Sequence, residues 1–252
     1  MITEIKSSSN EKIKYIKSLA QRKNRKKNFQ YTVEGLRSVE EALLYADADC
    51  VVMTQEWIDK LDTGNVSKVY AVPDFIFEKI SETNAPQGIL AVVNMKREKE
   101  PFKAEGAYIY CDNVRDPGNL GTIIRTADSA GFDGVVLSED CVDFYNPKVV
   151  RASMGSFFRM NVYEDMDLSE FEGYRIYGGI LSDDTVDYRD VDYRGGIVII
   201  VGNEANGISE KCRKKCIPVK IPIYGGAESL NAAVAAAIMM YEAANKRHER
   251  NK

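Results

Sequence analysis

Three polar, glycine-containing loops in the C-terminal half carry residue types that could bind a ligand and act on it. They read RDPGNLGTIIR, GNEANG and IYGGAESLN. Each lies between a predicted strand and a predicted helix, and open α/β sheets bind ligands at the carboxyl ends of their strands. A single glycine at such a junction is an ordinary turn residue, but three such loops in one domain indicate a ligand site. The glycines at these junctions are Gly118, Gly121, Gly202, Gly207, Gly225 and Gly226.

Several familiar chemistries lack their signatures in these loops. GNEANG has the spacing of a phosphate-binding loop, but Ile208-Ser209 follows it where Lys-Ser/Thr is required. A nucleotide-dependent oxidoreductase on a doubly wound sheet is an alternative class, but no strand precedes a G-x-G-x-x-G sequence. The single histidine, His248, stands among charged residues near the end of the sequence, which argues against a Ser-His-Asp or Cys-His nucleophile.

The five cysteines indicate structural thiols rather than a metal centre. Cys212 and Cys216 are four residues apart and can share a helix face, but Cys50, Cys111 and Cys141 supply no second pair. Irregular cysteine spacing, together with a start (MITEIKSSSNEKIK) that lacks an apolar signal core, predicts a cytoplasmic protein with reduced thiols. The sequence contains no apolar run of the length that a transmembrane helix needs.

The charge of the chain is unevenly distributed. Residues 1–30 hold nine Lys or Arg against two Glu, a net charge of +7 in a chain whose total is −4. A basic N-terminal arm on an acidic body predicts a polyanionic partner, and a solvated basic helix is the alternative. The basic residues of this arm are Lys6, Lys12, Lys14, Lys17, Arg22, Lys23, Arg25, Lys26 and Lys27.

The elements that must position the loops alternate between helix and strand in both halves of the chain. In the first half, the apolar periodicity predicts helices over 10–22 (with Asn10 as N-cap), 34–45 and 74–80, and strands over 48–54, 67–72 and 88–95. In the second half, it predicts strands over 107–111, 134–138, 174–180, 196–202 and 217–223, and helices near 119–130, 147–158, 208–215 and 229–246.

This alternation predicts two α/β domains. The charged segment KREKEPFKAEG at 96–106 is interpreted as the linker between a small domain over 1–97 and a second domain over 105–252. The second domain contains continuous apolar runs such as IVIIV, which are typical of buried parallel strands.

Three segments resemble the motifs of the SpoU family, RNA 2′-O-ribose methyltransferases of the SPOUT superfamily. DNVRDPGNLGTIIRTADSAGFDGVVLS at 112–138 is similar to its Asn-x-Gly-x-x-x-Arg motif, and IIVGNEANGIS at 199–209 to its Gly-x-Glu-x-x-Gly motif. IPIYGGAESLNAAVAAAIMMYE at 221–242 is similar to its Ile-Pro…Ser-Leu-Asn motif, and NPKVVRASMGSFFRM at 146–160 also resembles the family. The motifs occur in the order that the family has.

The N-terminal half resembles the RNA-substrate-binding domain that many members carry, an α/β fold similar to certain RNA-binding ribosomal proteins. The resemblance lies in SSSNEKIKYIKSL and FQYTVEGLRSVEEAL. It implies structured RNA as the partner, with rRNA favoured over tRNA. A tRNA ribose methyltransferase and a non-catalytic RNA-binding protein that has kept the fold are the alternatives.

The resemblance also implies S-adenosylmethionine as the methyl donor, a deep trefoil knot near the C-terminus and a homodimer that pairs through the knotted region. Five of the six residues 232–237 are alanine, which would let a helix pass close to other backbones. The helix predicted over 229–246 has apolar residues around most of its girth, more than one core face needs.

The resemblance assigns roles to nine residues and implies no metal. Arg125 is the residue that would act on the ribose hydroxyl, either as a base or as a fixed positive charge, although a guanidinium scarcely deprotonates. A surface salt bridge is its alternative role. The implied catalytic residues are Arg125, Asn119, Ser229 and Asn231; the implied cofactor-binding residues are Gly202, Glu204, Ile221, Ile223 and Leu230.

The polar residues among these nine have structural alternatives. Asn119 would orient Arg125 or the ribose, but Asn119 and Ser229 could also be helix N-caps. Glu204 would either pair with a cationic group or cap a turn.

Overall fold

The chain divides into two units in the computed structural model, which describes residues 2–96, 100–182 and 184–248. The first unit is Met1–Arg97 with Tyr145–Arg159, and the second is Glu98–Phe144 with Met160–Lys252. The segment Tyr145–Arg159, which the sequence analysis assigned to the second domain, therefore groups with the first unit. Of the predicted linker over 96–106, residues 97–99 lie outside the described residues.

The first unit is built on a five-stranded sheet. Its strands are β1 (Ile2–Glu4), β2 (Gln30–Glu34), β3 (Ala48–Met53), β4 (Val69–Ala71) and β5 (Ile89–Asn94). They lie in the order β1-β4-β3-β5-β2, with β1, β4 and β3 parallel and β5 antiparallel to both β3 and β2. Its helices are α1 (Glu11–Ser18), α2 (Arg22–Asn28), α3 (Leu36–Tyr45), α4 (Asp74–Ile80), α6 (Pro147–Ala152) and α7 (Ser156–Arg159), with a 3-10 turn at Gln55–Trp57.

Helix α1 forms where the sequence predicts it but is shorter than predicted. Asn10 is its N-cap, because the Asn10 side chain accepts a hydrogen bond of 2.8 Å from the backbone N–H of Lys12. Ile13 and Ile16 are buried on its inner face, in a core that also contains Phe77 of α4. Each such buried aliphatic side chain stabilises the fold by about 1.5–3 kcal/mol.

Arg25 corrects the interpretation of the basic arm. The predicted helix over 10–22 ends at Ser18, and the separate helix α2 contains Arg25, which is only 3% exposed. Its guanidinium donates hydrogen bonds of 2.8 and 2.6 Å to the carbonyl oxygens of Leu19 and Ala20. Arg25 thus satisfies carbonyls at the end of α1, and its charge is not presented to an external polyanion.

The second unit is built on a seven-stranded sheet in which every recorded pairing is parallel. Its strands are β6 (Ala107–Cys111), β7 (Gly134–Leu137), β8 (Val162–Tyr163), β9 (Arg175–Gly179), β10 (Val186–Asp187), β11 (Ile197–Val201) and β12 (Ile217–Lys220). They lie in the order β10-β12-β9-β11-β6-β7-β8. All five residues of β11 are buried at the centre of this sheet, as the IVIIV pattern predicts.

Three helices and a 3-10 turn accompany the sheet: α5 (Pro117–Ser129), α8 (Glu210–Arg213), α9 (Ala232–His248) and the turn Leu168–Phe171. Helix α9 packs against α5 and β11. Four of its alanines are buried, which allows the close approach that the alanine-rich sequence predicts. The mixed α/β fold is the predicted one, whereas the trefoil knot stays a prediction.

The helix predicted over 147–158 is interrupted. Helix α6 ends at Ala152 and α7 begins at Ser156, with Met154 (φ 51°) and Gly155 (φ 89°) in the left-handed region between them. A Cβ at Gly155 would also lie 2.9 Å from the carboxyl carbon of Glu41, so the break depends on glycine. Across the described parts of the chain, no helix is both long enough and apolar enough to cross a membrane.

Candidate active site

A cavity of about 270 Å³ opens at the carboxyl ends of β9 and β11 in the second unit. Its walls come from the residues that follow β9, from the loop 202–209 after β11 and from the loop 221–231 after β12. Six of the nine predicted site residues line it: Gly202, Glu204, Ile221, Ile223, Ser229 and Leu230. Residues far apart in the sequence therefore meet at the edge of the sheet where parallel α/β folds bind ligands.

The loop 202–209 is folded tightly on itself. The backbones of Asn203 and Gly207 exchange hydrogen bonds of 3.0 and 2.8 Å, and Gly207 has a φ of 67°. The Oδ1 atom of Asn203 accepts from the backbone N–H groups of Ala205 and Asn206. A Cβ at Gly202 would lie 2.2 Å from the carbonyl carbon of Gly207, so this first position accepts only glycine.

The same loop is also tied to the end of β6. Asn203 donates through Nδ2 to the backbone oxygen of Asn113 at 2.9 Å. The carboxylate of Asp112, only 2% exposed, accepts 2.6 Å from the backbone N–H of Ser209 and 3.1 Å from the side chain of Asn113. Sequence reasoning missed Asp112, Asn113 and Asn203 as site residues. The available signal was a polar Asp-Asn pair directly after a buried strand.

Asn119 joins the three motifs through a chain of hydrogen bonds. Its Nδ2 donates to Oε1 of Glu204 at 2.8 Å, and its Oδ1 accepts from Nδ2 of Asn231 at 2.9 Å. The Oδ1 of Asn231 accepts from the backbone N–H groups of Ala233 and Val234 in the first turn of α9. These bonds leave a single orientation for both amides, with donors directed toward the Glu204 carboxylate.

This chain settles the capping alternatives. Asp116, not Asn119, caps α5, since its Oδ1 accepts from the backbone N–H of Asn119 at 2.7 Å. Asn231, not Ser229, accepts from the first turn of α9. The N-cap roles considered for Asn119 and Ser229 are therefore wrong, and the side chain of Asn119 contacts Glu204 and Asn231 rather than Arg125.

The structure places Arg125 outside the cavity. It is exposed on α5, six residues beyond Asn119, on the helix face that also carries Thr122 and Ser129. Within the described residues, its guanidinium has neither an ion pair nor a hydrogen bond, so the salt-bridge alternative has no partner there.

The lining of the cavity suits a ligand with a flat apolar body and polar edges. Ile180, Ile221, Ile223 and Leu230 supply apolar surface, and the turns of the two loops supply backbone donors and acceptors. The thiol beside the loop is not a nucleophile at neutral pH, because burial raises the pKa of Cys212 to about 11. Among the described residues, no group of three or more His, Cys, Asp or Glu side chains could hold a metal.

Comparison with known proteins places both parts of the chain in known families. Residues 106–241 match the SpoU rRNA Methylase family, and residues 10–91 match the MRM3-like substrate binding domain. The 23S rRNA (guanosine(2553)-2′-O)-methyltransferase RlmP of Bacillus subtilis is 36% identical over 247 residues, which cover 94% of this chain and 98% of that protein.

Solved structures give the same result. The AdoMet-bound rRNA methyltransferase from Sinorhizobium meliloti superimposes with a TM-score of 0.85 at 30% identity, covering 97% of this chain and 98% of that one. The SpoU methyltransferase AviRb from Streptomyces viridochromogenes, in complex with AdoMet, gives a TM-score of 0.82 at 26% identity, covering 94% and 98%. The chain therefore belongs to the SpoU rRNA methylase family.

Proposed function

We propose that this protein transfers the methyl group of S-adenosylmethionine to a ribose 2′-hydroxyl of ribosomal RNA. The observation that carries the proposal is that the second and third motifs line one cavity, while Asn119 of the first motif forms hydrogen bonds with Glu204 and Asn231. Two relatives with this fold are AdoMet complexes, and one relative is named as a 23S rRNA 2′-O-methyltransferase. A protein that modifies rRNA would act in the cytoplasm, and tRNA is the second candidate substrate.

The residues of the cavity fit this cofactor. Ile221, Ile223 and Leu230 would hold the adenine, and the backbone around Gly202 would bind its edges and the ribose. When bound, S-adenosylmethionine supplies a methyl group on a positively charged sulfur. Glu204 is held by Asn119 at the same wall, so we assign it to cofactor binding, with Asn119 as the residue that positions it.

The remaining three residues act on the RNA side or shape the site. Ser229 lines the cavity and Asn231 orients Asn119, so both would shape the space for the reacting groups. Arg125 is exposed and is not bound to another described residue, so its guanidinium is accessible to RNA. A guanidinium side chain scarcely deprotonates in proteins, and Arg125 would therefore act as a fixed positive charge that stabilises the 2′-oxygen as its proton leaves.

Substitutions at Arg125 separate this role from the binding of the cofactor. Arg125→Ala should abolish methyl transfer and leave S-adenosylmethionine affinity near that of the wild type in a calorimetric titration. Arg125→Lys keeps the charge, so a fixed charge predicts no gain in rate at the high pH where lysine loses its proton. A rate that rises with lysine deprotonation would instead identify a base, and near-full turnover of Arg125→Ala would remove Arg125 from the site.

We further propose that the protein is a homodimer. Val234 and Tyr241 on the outer face of α9 are each 47% exposed, and Ile238 lies between them at helical spacing. Met239 and Met240 are buried within the chain and do not belong to this face. Sedimentation at micromolar concentration tests the pairing. We expect the wild type to sediment as a dimer and the Val234→Glu variant to sediment as a monomer. A monomeric wild type would contradict it.

The function itself is tested with radiolabelled methyl donor. Purified protein, labelled S-adenosylmethionine and rRNA from a strain that lacks the protein should give labelled RNA. Digestion should release a dinucleotide resistant to alkaline hydrolysis, because a methylated 2′-oxygen cannot attack the adjacent phosphodiester. Label in a base, or in tRNA and not in rRNA, would contradict the proposal.

A further inference from the structure

Helix α2 presents a dense group of cations to solvent. Its sequence, RKNRKKN, contains no acidic residue. The side chains of its exposed cations form no ion pair or hydrogen bond with other residues that the structure describes. These cations are Arg22, Lys23, Lys26 and Lys27. Charges of one sign within two turns repel each other, which offsets what Lys26 and Lys27 gain from the helix dipole in the last turn.

Phe29 ends this helix in a conformation that disfavours phenylalanine. It has φ 53° and ψ 36°, and its backbone N–H bonds to the carbonyl oxygen of Arg25 as the left-handed C-cap. Glycine or asparagine is the preferred residue there, because a Cβ makes this region costly. The ring is also 52% exposed, so the fold buries only part of a large apolar side chain. The left-handed backbone and the exposed part of the ring therefore both carry a cost in free energy.

We propose that Phe29 and the cations of α2 form a binding site for single-stranded RNA, in which an unpaired base stacks on the Phe29 ring. The proposal rests on the proposed function, since it specifies which part of the RNA substrate the first unit contacts. Free lysines and arginines beside an exposed aromatic ring are the combination that binds single strands, with the cations on phosphates and the ring on a base.

The ring decides between single-stranded and duplex RNA. Cations alone would bind the phosphates of either form. In an A-form duplex the bases are stacked on each other, so an aromatic side chain at the surface finds no free base face. The exposed part of the ring can stack on RNA only if at least one base is unpaired.

The test compares substitutions at Phe29 in the full-length protein. Binding of a short, unpaired RNA of mixed sequence and of a blunt duplex is measured by fluorescence anisotropy. Phe29→Asn, which suits the left-handed conformation, and Phe29→Leu, which keeps the apolar bulk, should each weaken single-strand binding about tenfold. Phe29→Tyr should bind as the wild type does, and duplex binding should be unchanged throughout. The thermal midpoint of Phe29→Asn should not fall.

A matched control lies in the same unit. Phe75 on α4 is 54% exposed and has no cation-rich helix of its own, so Phe75→Asn should leave both affinities unchanged. Lys26→Gln with Lys27→Gln should reduce the salt dependence of binding, whereas Phe29→Asn should not. The proposal would be overturned if Phe29→Asn and Phe29→Leu bound single strands with wild-type affinity, or if they lost affinity equally for both RNA forms. It would also be overturned if the wild-type protein bound neither RNA. Methyl transfer to rRNA, measured in parallel, shows separately whether the proposed function holds.

Discussion

The two loops that line the cavity differ in how many hydrogen bonds fix their backbones. The loop 202–209 is bound to itself through Asn203 and to the end of β6 through Asp112. Residues 221–230 make no backbone hydrogen bond to another described residue. A Cβ at Gly225 or Gly226 would meet nothing within 4 Å, whereas one at Gly202 would collide with backbone.

This difference indicates how the site would bind its cofactor. The loop 202–209 is already ordered without ligand, so binding of the cofactor costs little conformational entropy there. Fixing the backbone of residues 221–230 would cost about 1–2 kcal/mol for each residue that becomes ordered. We therefore expect the first loop to set the shape of the site and the second to close on the ligand.

The largest effect is expected from a glycine substitution in the loop 202–209. Gly202→Ala places a methyl group 2.2 Å from the carbonyl carbon of Gly207, which should cost more than about 3 kcal/mol and abolish S-adenosylmethionine binding. Gly226→Ala has open space and serves as the matched control, with affinity changed less than about threefold, or ~0.7 kcal/mol. Calorimetric titration of both variants checks this. Equal losses of affinity would show that the two loops do not differ as described.

Asp112→Asn should have the next largest effect. Both carboxylate oxygens of Asp112 accept hydrogen bonds, and an amide can replace only one of them without setting two donors against each other. We expect a loss of about 1–3 kcal/mol in the free energy of unfolding, measured with urea, and weaker cofactor binding. Asp140→Asn, at an exposed carboxylate of the same unit, should change neither. Unchanged stability of Asp112→Asn would mean that Asp112 does not hold the loop 202–209 in place.

A smaller, pH-dependent effect is expected from Asn119→Asp. The new carboxylate would lie beside Glu204, with which Asn119 now makes a hydrogen bond of 2.8 Å, and should weaken cofactor binding by about 1–2 kcal/mol at neutral pH. Lowering the pH adds a proton that the two carboxyl groups share, which restores a donor between them and recovers affinity. Asn119→Ala should lose less at neutral pH and show no such recovery. The same cofactor affinity for both variants at every pH would show that Asn119 does not act on cofactor binding through Glu204.

Part of the site was predictable because the family resemblance implied cofactor-binding roles for Gly202, Glu204 and Ile221. The structure brings these residues to one cavity, since they follow β11 and β12, whose carboxyl ends lie at the same edge of the parallel sheet. The roles of Asp112 and Asn203 were not predictable, because they depend on which backbone N–H and carbonyl groups of the loop 202–209 need a hydrogen-bond partner. Those groups appear only once the loop is folded.

Charge was the least predictable feature. In the sequence, Arg25 is one of a run of equivalent cations, but in the structure its side chain donates hydrogen bonds to the carbonyl oxygens of Leu19 and Ala20 in the turn after α1. The family motif names Arg125 as a catalytic residue, but its exposed position on α5 is set by the helix face. The sequence shows where the charged residues stand. Packing determines whether such a residue forms hydrogen bonds within the fold, as Arg25 does, or is exposed to a partner, as Arg125 is.

Amide hydrogen exchange with and without S-adenosylmethionine tests most directly the claim that the cofactor is held between the two loops. Without ligand, residues 203–209 should exchange slowly and residues 223–230 rapidly. Saturating S-adenosylmethionine should slow exchange in 223–230 by at least about tenfold, which corresponds to ~1.4 kcal/mol, and change 203–209 much less. Binding of the cofactor with no change in either loop would contradict the account.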